Sequence, residues 1–182
     1  MRKSIAILGT IAIVSVGLSP LLLAQASAPG RPLVSIAQEA KAKIKTTAAV
    51  AIFLNGNDAL LTGIMEDALS IHLSNMGFTV VNREKLEKSV GEQIAKMSKE
   101  KEGRAVSALE IGRAVNADFI LTGTVIVELA QDRPLLVKVA SFQLIEVVSE
   151  KTLIGFLSEP EKGKSFSEMS GEFTDLVSQN AK

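Results

Sequence analysis

Thr46 to Leu54 (TTAAVAIFL) is β-branched and apolar with no polar alternation, and this run limits the architectures open to the chain. A strand of that composition needs cover on both faces, as a central strand in a sheet flanked by helices has. The run stops at Asn55-Gly56-Asn57-Asp58, where Asn57 or Asp58 can cap a following helix. Leu61, Ile64, Met65, Ala68, Leu69 and Met76 share one face of that helix, and Gly77 supplies its stop. Phe78-Thr79-Val80-Val81 then starts a second strand, which a crossover connection makes parallel to the first if the two share a sheet.

The same alternation continues along the chain. Asn82 caps a helix from Arg83 to about Lys99, with the stripe Leu86, Val90, Ile94 and Met97, and Lys99 to Arg104 reads as a charged linker. Ser107-Ala108-Leu109-Glu110 forms a capping box for a helix ending near Asn116. Three strands follow at Asp118–Glu128, Leu135–Ser149 and Lys151–Leu157, the last two joined as a tight hairpin. Phe166, Met169, Phe173, Leu176 and Val177 mark a terminal amphipathic helix, and Leu33, Ile36, Ala37, Ala40 and Ile44 predict a short leading helix through Lys45. The expected class is α/β, in the mixed α+β sense: one sheet of about five strands with helices packed on it, in the order α-β-α-β-α-α-β-β-β-α.

Export is the next expectation. Arg2 and Lys3 precede an apolar run from Ile5 through Leu21-Leu22-Leu23-Ala24, interrupted by Ser19-Pro20 and followed by small residues, the pattern of a signal peptide. Cleavage is expected after Ala26, leaving Ser27 first. The rival is an uncleaved anchor, since Ile5 to Ala24 spans 20 residues. The predicted organisation is a signal peptide over 1–26, a leader and leading helix over 27–46, a compact domain over 47–158 and the amphipathic helix within 159–182. A chain of roughly 150 residues buries close to 70% of its unfolded surface, so it needs no disulfide staples.

Composition removes most chemistry. The 182 residues include 20 Lys+Arg, 20 Asp+Glu, one His and no Cys, Trp or Tyr. Balanced charge gives no overall field to hold a nucleic acid. Without cysteine there is no disulfide, thiolate metal site, thiol nucleophile or lipid-modified N-terminal cysteine, and His72 lacks a second imidazole for a His-rich metal site. His72 is expected on or beside a buried helix face with no chemical role. Glu66-Asp67 and the pair Glu84 and Glu87 read as solvated helix surface, and no phosphate-cradling glycine motif occurs. Lys41, Lys43 and Lys45, spaced by two, scatter around a helix as solvated charge, while Met65, Met76 and Met97 fill core. Gly123 and Gly155, inside strands, suggest a bulge or close backbone approach, and Gly91, inside a helix, close packing or a bend. No catalytic, cofactor-binding or metal-ligating residue is therefore assigned.

Several segments together resemble the CsgG-like family, which includes curli secretion channel proteins, periplasmic modules of flagellar accessory proteins and LpoB-type activators of peptidoglycan synthases. VAIFLN (Val50–Asn55) is similar to the family's first strand, and ALLTGIMEDALSIHLSNMGFTVVNREKLEKSV to its helix, strand and arginine-bearing second helix. EIGRAVNADFILTGTV resembles its helix, Ala-Asp and glycine-containing strand, and VKVASFQLIEVVSEKTLIG its closing hairpin. Arg83, Asp118 and Gly123 match the pattern as structural positions. The resemblance implies a non-enzymatic periplasmic protein that acts through protein contacts in envelope assembly or export, with self-association an option. It departs from the channels, which are lipoproteins with membrane-crossing hairpins. No lipid anchor and no transmembrane barrel is expected, because the chain has no cysteine and its 135–149 strand places Lys138, Gln143 and Glu146 across both faces. Three alternatives stand beside this reading: an LpoB-like regulator of peptidoglycan synthesis, a membrane-tethered scaffold and a carboxylate-based glycan hydrolase.

Overall fold

The computed structural model describes residues 31–97, 107–128 and 135–182, apart from the side chains of Arg83, Val90 and residues 93–97. Ala26, Ser27, the signal segment, the Lys99–Arg104 linker and the Met97 side chain lie outside the described residues. A single mixed sheet has the order β1-β6-β5-β4-β2-β3. Its strands are β1 (Leu33–Ile36), β2 (Ala49–Gly56), β3 (Thr79–Val80), β4 (Phe119–Glu128), β5 (Leu136–Glu146) and β6 (Thr152–Ser158). The helices are α1 (Ala40–Lys43), α2 (Ala59–Asn75), α3 (Arg83–Met97), α4 (Ala108–Ala114) and α5 (Phe166–Gln179). β2 runs parallel to β3 and β4, and the remaining pairings are antiparallel.

Two expectations are corrected at the N-terminal side. Leu33–Ile36 is a strand paired with β6, not the first turn of a helix, and helix is confined to Ala40–Lys43. The sheet therefore has six strands rather than about five. LVSI satisfies a helical and an extended pattern equally well, and the open hydrogen-bonding edge of β6 decides between them, since tertiary pairing outweighs weak local propensity. Ala40 and Ile44 are still buried.

Local signals set the other boundaries. Asp58 caps α2 by accepting the Leu61 N–H at 2.9 Å, and Gly77 leaves the helix at φ 101°. Ser107 with Glu110 and Ser165 with Glu168 make complete capping boxes for α4 and α5. Asn57, the other candidate cap, does something else. Its side chain bonds both the N–H and the C=O of Val127, at 3.0 and 2.9 Å, extending the β2–β4 ladder one step beyond Gly56.

The main core lies between the sheet and the layer formed by α2 and α5. Met65, Leu69 and Leu73 of α2 and Met169, Phe173 and Val177 of α5 are fully buried against Val50, Leu121, Phe142, Leu144 and Ile154. Phe173 sits edge-on to Phe142 and Phe156, with ring centroids 5.3 and 6.0 Å away, a geometry that adds to their area burial. On the opposite face, Ile111 and Val115 with Leu86 of α3 cover Ala51, Ile120 and Val147.

Candidate functional site

Apolar residues recur around much of α2, and of the face expected to be buried Leu61, Met65 and Leu69 are buried, Ala68 and Met76 half-buried and Ile64 exposed. The structure turns Leu61, Met65, Leu69 and Leu73 inward and leaves Leu60, Ile64 and Ile71 outward, 75%, 40% and 61% exposed. Ile64, expected in the buried face, is corrected to the surface: residues 60, 64, 67 and 71 follow the 4-3-4 spacing of one helical stripe, separate from the buried row of residues 61, 65, 69 and 73. Asp67 lies exposed within that stripe.

Beside the stripe, a cleft of about 350 Å³ opens between α2, the end of β3 and the start of α3. Ser70, Ser74, Glu66, Asp67 and Asn82 give it polar walls, and Ile52, Val80 and Leu86 line its apolar side. It exists because β3 is only two residues long, so β2 loses its neighbour beyond Val50. Glu66 compensates by accepting the Leu54 N–H at 2.9 Å, which satisfies a donor on the bare edge of β2. Glu66 is thus a half-buried strand cap, not only solvated helix surface as the sequence suggested. Asn82 turns its side-chain oxygen to the Glu84 N–H at 2.7 Å, capping α3.

The remaining sequence candidates are placed apart. Asp118 is structural: its Oδ2 accepts the Ala49 N–H at 2.8 Å, its own N–H bonds Ala49 O, and its carbonyl accepts Val147 N–H, joining the starts of β2 and β4 to the end of β5. Gly123 is paired with Phe142 across the β4–β5 ladder, where a Cβ would come within 1.9 Å of the backbone oxygen of the adjacent Ser141, the close approach expected of it. A Cβ on Gly155 would meet the side chain of Ser35, Oγ at 2.5 Å, and no backbone, so the expected close backbone approach is not found there, while Gly91 has open space around it, so close packing does not explain that glycine. Arg83 begins α3. His72 is half-buried in the last turn of α2, and Glu84 and Glu87 are exposed on α3.

Of the lysine cluster, Lys43 pairs with Glu146, while Lys41 and Lys45 stay exposed. The Lys43 ammonium, with help from the Ser149 hydroxyl, holds the Glu146 carboxyl below its ordinary range. Among the described residues no group of three or more potential ligands could hold a metal ion, and no helix is long and apolar enough to cross a membrane.

No protein-family model and no curated protein matches the chain. Solved structures similar to it include the LpoB C-terminal domain from Salmonella enterica, at 18% identity over 63% of this chain and 83% of that one, with a TM-score of 0.46. The LpoB C-terminal domain from Escherichia coli is 19% identical over 62% of this chain and 84% of that one, with a TM-score of 0.42. A PelC dodecamer from Paraburkholderia phytofirmans is 12% identical over 84% of this chain and 99% of that one, with a TM-score of 0.45.

Proposed function

We propose that this chain is an exported, non-enzymatic regulator of envelope assembly that works by touching a protein partner, in the manner of an LpoB-type activator of peptidoglycan synthesis. The reading rests on the sequence resemblance together with one structural observation, the aliphatic stripe that α2 holds out to solvent. Three large aliphatic side chains aligned on the outside of a well-buried helix have no role in this chain's own core, and burial against a partner is the ordinary use of such a row.

The fate of the β4–β5 hairpin favours a regulator over the secretion-channel branch of the resemblance. Val125, Val127, Val137 and Ala140 are all buried in the main core, and Lys138 pairs with Glu128 at 2.8 Å. A hairpin spent on a protein core, carrying an ion pair, has no continuous lipid-facing side. The leader supports a periplasmic location, and one His with no Cys supports a role without catalysis.

The test is reconstitution. Purified protein added to a peptidoglycan synthase of its host is expected to raise the rate of glycan polymerisation or crosslinking at least severalfold, and alone to leave glycan substrates unchanged. A synthase rate unaffected by a molar excess of protein overturns the reading, as does glycan turnover by the protein alone that is lost on changing one carboxylate.

A further inference from the structure

The stripe on α2 belongs to a larger surface whose charge identifies its partner's chemistry. α2 and α5 lie side by side on one face of the sheet, and their sequences, ALLTGIMEDALSIHLSN and FSEMSGEFTDLVSQ, contain no Lys or Arg. Their formal charges are all negative: Glu66 and Asp67 on α2, and Glu168, Glu172 and Asp175 on α5. Glu172 is neutralised by Lys164, just before α5, and Glu168 is engaged in its capping box. Asp67 and Asp175 remain exposed. The chain as a whole is balanced at 20 basic and 20 acidic side chains, so the sign bias of this layer is local.

Asp67 links the two features. It lies within the aliphatic row, between Ile64 and Ile71, and also on the wall of the polar cleft with Glu66, Ser70 and Ser74. A ligand lying along α2 would meet aliphatic contacts on one side and carboxylates and hydroxyls a single side-chain length away on the other.

We propose that the outer face of α2, with its flanking cleft, is the docking surface for a basic amphipathic helical segment of the partner protein, its aliphatic side chains seated on Leu60, Ile64 and Ile71 and its Lys or Arg side chains turned to Asp67 and the cleft. The stripe supplies the apolar anchor row of helix-on-helix recognition, and the one-sign layer supplies complementarity that attracts cations and rejects acidic segments. A polyanion such as nucleic acid is excluded from this face by the same charge. The proposal rests on the partner-contact reading above and assigns that contact a place and a chemistry.

The test uses an 18-residue peptide of lysine and leucine with the leucines on one helical face, a second peptide with glutamate replacing lysine, and a third with the leucines scattered. Binding of each fluorescent peptide to the purified chain is followed by anisotropy at low and at high salt. The patterned lysine peptide is expected to bind the native chain, at least tenfold more weakly at high salt. Binding should fall at least tenfold with Leu60→Ser combined with Ile71→Ser, and separately with Asp67→Lys, while Glu161→Lys, outside α2 and its cleft, leaves it unchanged. All of these positions are exposed, and circular dichroism verifies that each variant folds.

No binding, equal binding of the glutamate or scattered peptide, or undiminished binding by the α2 variants overturns the proposal. The synthase assay on the same preparations separates it from the broader reading. Stimulation retained by the α2 variants removes the docking site and leaves the regulator, whereas a native chain without stimulation removes the regulator itself.

Discussion

Replacing Gly123 by alanine is expected to be one of the costliest single-methyl additions in this protein. Gly123 lies mid-strand in β4, and a Cβ there would stand 1.9 Å from the Ser141 carbonyl oxygen, 2.9 Å from its carbon and 3.1 Å from Phe142 Cα. All three are backbone atoms, so no flexible side chain can swing away. Restoring a tolerable contact of about 3 Å requires β4 and β5 to part by roughly 1 Å where paired strands normally sit about 4.8 Å apart. Loss of about two ladder hydrogen bonds at roughly 1 kcal/mol each and overpacking of about 1–3 kcal/mol give a cost of roughly 3–5 kcal/mol. In a domain of this size that corresponds to a fall in Tm of about 6–20 °C.

The strain should also be felt beside Gly123 in the buried ring cluster, because Phe142 is its register partner. Urea unfolding followed by far-UV circular dichroism measures the difference, with Gly91→Ala as the matched control. Gly91 is an exposed position inside α3 with nothing within 4 Å of a Cβ, so the same substitution there is expected to stabilise by about 0.5–1 kcal/mol. If Gly123→Ala unfolds within about 1 kcal/mol of the native chain, near the scatter of benign surface changes, the close-approach argument is refuted.

Three further outcomes are expected. Asn57→Ala, which removes both bonds to Val127, should cost about 1–3 kcal/mol in urea unfolding and speed amide exchange at Val127, whereas Asn55→Ala nearby should change little. Phe173→Ala should cost about 3–5 kcal/mol, because the ring is fully buried between Phe142 and Phe156; a cost below about 1 kcal/mol in the same unfolding assay would contradict the placement of α5 on the sheet.

Acid sensitivity follows from carboxylates held low: Glu146 by Lys43 and Ser149, Glu168 by the Ser165 hydroxyl and backbone, and Glu39 by its own backbone and Lys151. A carboxyl whose folded pKa is depressed contributes stability that is complete above its unfolded value of about 4.3 and is lost as pH falls through the lower folded value. Unfolding free energy should therefore be flat with respect to these groups near neutrality and decline below about pH 4.3, with a shallower decline in Glu146→Gln. An identical acid slope in the variant would show that the Lys43 pair makes no contribution.

Much of the fold could be read from residue order because its signals are local. AVAIFL is the covered strand expected of it, although Thr46–Ala48 before it form a turn, Asp58 and Gly77 bracket α2, and the Ser107–Glu110 capping box begins the helix it announces. These depend on neighbours within a turn or two, where side-chain type and backbone preference act directly. Gly123 was likewise recognisable as a place of close approach, although not by which strand.

The elements that depart from the sequence pattern are those whose identity depends on distant partners. Leu33–Ile36 became a strand because β6, more than a hundred residues later, offered an open edge, and Glu66 became a strand cap because β3 stops after two residues. The outward row on α2 is not evident from the sequence because its apolar residues extend beyond the buried face, and only packing on the sheet decides which of them stay bare. Sequence thus determined which segments are helix or strand wherever short-range capping and periodicity sufficed. Tertiary structure alone decided which faces remained bare, because exposure depends on what the rest of the chain covers.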